Sequence, residues 1–488
     1  MRRIDSSKRT LLFYYIVAVI VASVNVLFCY NKEISYLAII IEIVVLVYEL
    51  INKRIYRYTA LSVIFISNCL EFSYFVGKDD FYNMKTVRIL GINIGAWVLL
   101  VLAVICCIKP IRTGIIKQQQ HGLFRFGTNL IKLNVVAAVV GFVLLLVNDN
   151  NIAGVGNIEN GYVSCAYAML FIPLTELLAI FYIVGYEKEH IKELYIALQA
   201  TAFANACQII VSFCFGLYGY YGGTGTLLVS TTNFLSPMML LILFDKKSRF
   251  RKTSLIIIII GIILSIAFNA NGKLVLLIVF VSIIALFKLL KGRKMATKIA
   301  TILIVVLGAV LIPFIIEYLI NNNVLFNSKY SQVLTLFQFG KENWIQNLAQ
   351  SPRARVEEFF DVCLEFANSP WLIFTGKGYM GSIIDRTGYF STLSTNRGMF
   401  SDAEWINGTY YNLHEVTSSL LLYGIMGIAY TVSLIKYGIK NSKTNAWAIM
   451  GIFWFVFLYG YSFTLSCFGA MAFFVGLLSN SDNQVEAQ

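Results

Sequence analysis

Long apolar runs recur along the whole chain, and no other feature limits its fold so much. A helix that crosses a bilayer needs about 20 mostly apolar residues, and such runs lie near 11–30, 34–51, 59–76, 89–108, 132–148, 162–185, 194–215, 226–244, 253–270, 273–290, 299–320, 412–435, 446–461 and 464–479. That makes fourteen, with thirteen as the competing count, because only Gly460 and Tyr461 divide the last two. Charged residues are 13% of the 488, about half the share usual in soluble domains. A chain this apolar, with six prolines and no glycine period, is neither disordered nor collagen-like. The expected fold class is an all-α, polytopic integral membrane protein of about 14 transmembrane helices. The first run is too long for a signal-peptide core, and no small-residue cleavage pattern follows Cys29, so it is read as a retained span.

The net charge of +13 records orientation. With the N-terminus inside, cytoplasmic segments hold 27 of the 39 Lys and Arg, short outer loops hold five, and one long segment at 321–411 holds seven. This asymmetry follows the positive-inside rule and makes nucleic acid unnecessary as a partner. The expected organisation is eleven spans in 1–320, a large extracytoplasmic loop with short helices in 321–411, and three further spans with a short tail in 412–488.

The long loop carries eight acidic residues against its seven basic ones, so it is not a nucleic-acid surface. Residues 351–367 have the spacing of an amphipathic helix. Val356, Phe359, Phe360, Cys363, Leu364 and Ala367 form its apolar face, and Glu357, Glu358, Asp361 and Glu365 form its polar face. Pro370 and a Gly-rich turn, TGKGYMGS, follow. Eight of nine cysteines fall in expected spans, leaving Cys363 alone in the loop, so no disulfide framework is expected there. His121, His190 and His414 are far apart and lack zinc-site spacing, so no metal is expected. GYYGGTG at 219–225 lacks the ending of a nucleotide-binding loop and is read as a flexible loop.

His414 stands where the long loop enters the twelfth span, at the outer membrane surface, where an imidazole suits general-base work on a hydroxyl. Arg353 and Arg355 open the amphipathic helix, and a guanidinium fork there suits phosphate oxygens. Lys273 stands at the outer mouth of the tenth span. Each residue also has a bland reading: an interfacial histidine, a surface ion pair with Glu357 or Glu358, and a lysine snorkelling to headgroups. Glu42, Glu71 and Glu176 lie deep in expected spans, which keeps a transport pathway in view.

The C-terminal part resembles the O-antigen polymerase and O-antigen ligase family of polytopic glycosyltransferases. The resemblance rests on Arg355, then Pro370 and Gly376-Lys377-Gly378, then His414 followed by Leu420, Leu421, Leu422, Gly424 and Gly427. It covers roughly 260–450 and includes Gly272-Lys273 where the family has Ser-Arg. The family's His-Asn is His414-Glu415 here, and a lysine at 273 neutralises phosphate without gripping it bidentately.

The resemblance implies transfer of a polyprenyl-pyrophosphate-linked glycan to an acceptor sugar hydroxyl at the outer face of a bacterial cytoplasmic membrane, with both termini cytoplasmic. It implies no nucleotide sugar, metal or other cofactor, because the pyrophosphate lipid is the leaving group. In this reading Arg355 and Lys273 neutralise the pyrophosphate, with Arg353 beside them. His414 takes or orients the acceptor proton, and Glu415 orients His414. Trp405 and Tyr411, with Trp371, Tyr379 and Tyr410, supply rings for sugar stacking. Flippase and chain-length regulator proteins are the expected partners. Lys273 favours a polymerase over a ligase, and a lipid-linked oligosaccharide flippase or exporter is the alternative from another class.

Overall fold

The computed structural model describes residues 6–70, 82–90, 92–113, 122–147, 188–221, 224–229, 251–269, 342–379, 381–393, 402–411 and 413–442, with isolated positions between 295 and 318. The expected spans at 162–185, 273–290, 446–461 and 464–479, and nearly all of 226–244, lie outside the described residues, as do Glu71, Glu176 and Lys273.

The described chain is mostly helical. Seven helices fall on expected spans: α1 (Ser6–Leu27), α2 (Lys32–Ile51), α3 (Ile55–Ser67), α4 (Ile94–Thr113), α5 (Gly122–Val147), α6 (Lys188–Phe215) and α7 (Arg251–Asn269). The loop region supplies α8 (Gln350–Asn368), the short α9 (Leu372–Thr375) and α10 (Asp402–Asn407), and α11 (Glu415–Ser442) follows at the twelfth expected span. Among the described residues, two helical stretches are long and apolar enough to cross a membrane, Thr10–Leu27 and Lys32–Ile51.

α2 shows how such a helix is built. Asn31 caps it by accepting the Ile34 amide at 3.0 Å. Its buried stripe is Ser35, Ile39, Glu42, Leu46 and Glu49, while Leu37, Ile40, Ile41, Val44 and Val47 are exposed. Carboxylates point in and branched aliphatics point out, the reverse of a helix in a water-soluble domain.

α1, α3 and α6 pack together through small residues and amides. Ala18 and Ala22 of α1 and Ala197, Ala200 and Ala204 of α6 are fully buried, which lets the backbones approach closely. Gln208 of α6 donates to the carbonyls of Ala22 at 3.0 Å and Asn68 at 3.1 Å, and Asn25 of α1 donates to the Asn68 carbonyl at 3.0 Å. α3 ends at Ser67, short of the expected residue 76, and the Asn68 side chain folds back on the Ile64 carbonyl at 2.7 Å.

The all-helical expectation needs a small correction, because three short antiparallel strand pairs are present among the described residues. β1 (Arg88–Ile89) pairs with β2 (Ile92–Asn93), and β3 (Tyr218–Tyr221) pairs with β4 (Thr224–Leu227). The second pair replaces the flexible loop expected at 219–225. Its tyrosines and threonines favour extended backbone. β5 (Ile383–Ile384) pairs with β6 (Thr409–Tyr410) and ties the far end of the long loop to the stretch that follows α9.

Candidate functional site

α8 is amphipathic, as its spacing predicts, but turned the other way. Glu357, Glu358 and Asp361 are buried together with Ala354, Val362 and Phe366, while Phe359, Phe360, Cys363 and Leu364 are exposed. The buried face packs on a core that includes Leu144 of α5, Ile383, Phe390, Tyr410, Leu413 and Leu421. Periodicity identifies two faces of a helix but does not say which solvent each one meets.

This orientation brings Glu358 to His414. Glu358 Oε1 lies 2.6 Å from His414 Nδ1, and Oε2 accepts the His414 backbone N–H at 2.9 Å. The Glu358 side chain is 0% exposed and that of His414 is 13% exposed. An ionised Glu358 accepts at both oxygens and makes Nδ1 the donor, and in the neutral form of such a ring the lone pair falls on Nε2. A histidine held this way can take a proton at Nε2, and the carboxylate steadies the imidazolium that results. Nothing in the sequence alone singles out Glu358 as a site residue. The side chain of Glu415, expected to orient His414, lies outside the described residues.

The two arginines differ. Arg353 Nε contacts Glu357 Oε1 at 3.2 Å, its Nη1 donates to the Gln346 carbonyl at 3.3 Å, and its guanidinium lies 4.3 Å from the centre of the Tyr389 ring. These contacts hold it at the start of α8. Arg355 is half-buried and precedes Glu358 by three residues, so the two are neighbours on one helix face. Trp405 is half-buried against the loop core, and the Tyr411 amide donates to buried Glu404 Oε1 at 2.8 Å.

Below the pair, α8 is braced by charge. Lys377 Nζ donates to Glu365 Oε1 at 2.6 Å and to the Ser382 carbonyl at 2.8 Å, and Arg386 reaches Glu365 Oε2 at 3.1 Å. Asp361 Oδ1 accepts the Arg386 and Thr387 amides, both at 3.0 Å, and burial pushes its carboxyl up to about 6.

The Gly-rich turn is threaded between helices. α11 breaks at Gly424 (φ 57, ψ −148), which removes the amides that the Leu421 and Leu422 carbonyls would otherwise receive. Lys377 N–H fills the first at 2.7 Å, and Gly378 N–H fills the second at 3.2 Å. Tyr379 N–H reaches the Ala137 carbonyl of α5 at 3.0 Å. The hydroxyls of Tyr379 and Tyr423 both donate to Asn134 Oδ1, at 3.0 and 2.8 Å. Side chains would block this insertion, since a Cβ on Gly378 would fall 2.2 Å from the Ala137 oxygen. The site histidine is thus fixed from two sides, by α8 at its ring and by the threaded turn ten residues further along α11. A scan against protein-family models finds no match, and searches of curated proteins and of solved structures find no significant relative.

Proposed function

We propose that this chain is a polytopic membrane glycosyltransferase of about 14 spans, acting as a polymerase of polyprenyl-pyrophosphate-linked glycan repeats at the outer face of a bacterial cytoplasmic membrane, with both termini in the cytoplasm. The observation that carries the reading is the His414–Glu358 pair, a nearly buried imidazole aligned by a fully buried carboxylate at the head of α11. The order of Arg355, Gly376-Lys377-Gly378, His414 and Gly424 along the chain supports it further.

In the proposed step the acceptor hydroxyl oxygen bonds to the anomeric carbon of the donor glycan as the bond from that carbon to the phosphate oxygen breaks. The electron pair leaves with the polyprenyl pyrophosphate, and the hydroxyl proton passes to His414 Nε2. Arg355, beside Glu358 on α8, is assigned to the leaving pyrophosphate together with Lys273. Arg353 is assigned to holding the helix start. Trp405 and Tyr411 border the acceptor side in this reading, with membrane lipid and the lipid-linked oligosaccharide as partners.

The exporter reading draws on one observation, the burial of Glu42 in α2. Purified full-length chain in liposomes, given lipid-linked repeats alone, separates the two. A ladder of elongated products supports the polymerase. Translocation of single repeats without elongation overturns it in favour of the exporter.

A further inference from the structure

The outward face of α8 and α9 has no place in the proposed chemistry. Phe359, Phe360 and Leu364 are 46%, 44% and 44% exposed, and Trp371 and Phe374 are 57% and 65% exposed. The first three share one side of α8, whose opposite side holds buried Glu358 and Asp361, and Trp371 and Phe374 follow in and beside α9. In water such an arrangement is unfavourable twice over, in the apolar surface it leaves wet and in the charge it buries. The same inversion occurs in α2, a helix long and apolar enough to cross a membrane.

Two fixed points set the depth of this face. Glu358 is bonded to His414 at the head of α11. Ten residues further on, a Cβ at Gly424 would meet the Ile373 oxygen at 2.4 Å and the Phe374 carbonyl carbon at 3.0 Å, so α9 lies against the break. Ten helical residues rise about 15 Å, half the thickness of a bilayer's hydrocarbon core. Between Glu358 and Asn368, α8 rises by the same amount, so it descends beside α11 from the level of His414 to the level of Gly424. α11 itself exposes Ile425, Met426 and Ile428, and α5 exposes Val139, Phe142 and Val143.

From this geometry we infer that α8 and α9 form a re-entrant hairpin, whose face of Phe359, Phe360, Leu364, Trp371 and Phe374 is seated in the acyl chains of the outer leaflet. The inference rests on α11 being a membrane span. Lipid on the outer side explains the inversion of α8: its acids turn inward because that is where polar partners are, and its aromatics turn outward because that side is hydrocarbon.

The test is the depth of spin labels in a cysteine-free full-length chain, reconstituted in phosphatidylethanolamine and phosphatidylglycerol vesicles. Labels go singly at Phe360→Cys, Leu364→Cys and Phe374→Cys, with Ile425→Cys marking the span and Thr392→Cys marking water. Expected is relaxation by oxygen rather than by an aqueous nickel chelate at the first three, with the oxygen preference rising from 360 to 374 toward the value at 425. Nickel access at 360, 364 and 374 with oxygen access retained at 425 overturns the hairpin and leaves the span standing. Nickel access at 425 as well overturns the span and the inference with it. Exclusion of both reagents means that protein, such as a second copy, covers the face, which also overturns the inference. Should the cysteine-free chain not fold, a benzophenone amino acid at 364 or 374 in the otherwise native chain is expected to yield phospholipid adducts, and protein adducts alone refute the seating.

Discussion

The α1–α3–α6 bundle and the α5–α8–α11 assembly both bury polar groups among apolar helices, but with different kinds of group. In the first, neutral amides of Asn25 and Gln208 bond to backbone carbonyls across helix contacts made close by alanine, and Asn68 bonds back within α3. Among the described residues its one carboxylate contact, Glu193 with the Tyr14 hydroxyl, involves no cationic partner. In the second, buried Glu358 and Asp361 and half-buried Glu365 face His414, Lys377, Arg386 and backbone amides, and helices meet through glycine. Amides that change no charge suit adhesion, whereas a carboxylate on an imidazole suits proton transfer.

The largest test of that division is chemical. Alanine at His414 is expected to lower repeat elongation by about 10²- to 10⁴-fold with insertion and thermal stability retained. Glu358→Gln keeps the size of the side chain but no longer requires Nδ1 to be the donor, and a loss of about 10²-fold or more is expected, with an altered pH profile of rate. If either variant still makes full-length product at the normal rate, the assembly is only structural and the contrast disappears.

Backbone approach comes next. Gly378→Ala combines a positive φ with a collision against the Ala137 oxygen, so its detergent-solubilised melting should report a loss of about 3 kcal/mol. Gly388 also has positive φ, but a Cβ there would meet nothing within 4 Å, so Gly388→Ala should lose about 1 kcal/mol. Equal losses would show that the threaded turn is not held by packing.

Much of this architecture is visible in the chain beforehand. Apolar runs at 11–30, 34–51 and 194–215 announce their helices because length and composition alone suffice. His414, Arg355 and the glycines at 376, 378 and 424 stand out through residue type and order. Glu358 does not, because a carboxylate on the polar side of an amphipathic helix reads as solvated until the packing of that side on the loop core is seen. Nor does Asn134, whose role depends on Tyr379 and Tyr423, 245 and 289 residues away.

Smaller effects separate the two regions further. Gln208→Leu removes both of its donations and should lower melting by about 1 kcal/mol, with activity per folded molecule unchanged. A tenfold loss of activity would move the α1–α3–α6 bundle into the working part of the molecule. Asp361 should give a signature in pH rather than in a single melting value. Its carboxyl holds a proton to about pH 6 in the folded chain and only to about pH 4 when unfolded, so unfolding releases a proton between these values. Its contribution to stability is therefore greatest below about pH 4 and falls as pH rises through 6. Melting of wild type relative to Asp361→Asn, followed from pH 4 to 7, should show that decline, and a flat difference would mean the carboxyl titrates alike in both states.

The break at Gly424 also bears on assembly. Two carbonyls of α11 depend on amides from Lys377 and Gly378, and a third amide, from Tyr379, reaches back to α5. All three belong to a turn that leaves the ribosome before the helix it completes. In the proposed topology α11 then enters hydrocarbon with its missing partners already synthesised and with α5 already made to receive them. A chain that delivered this turn after α11 would have to hold two bare carbonyls in lipid while it waited.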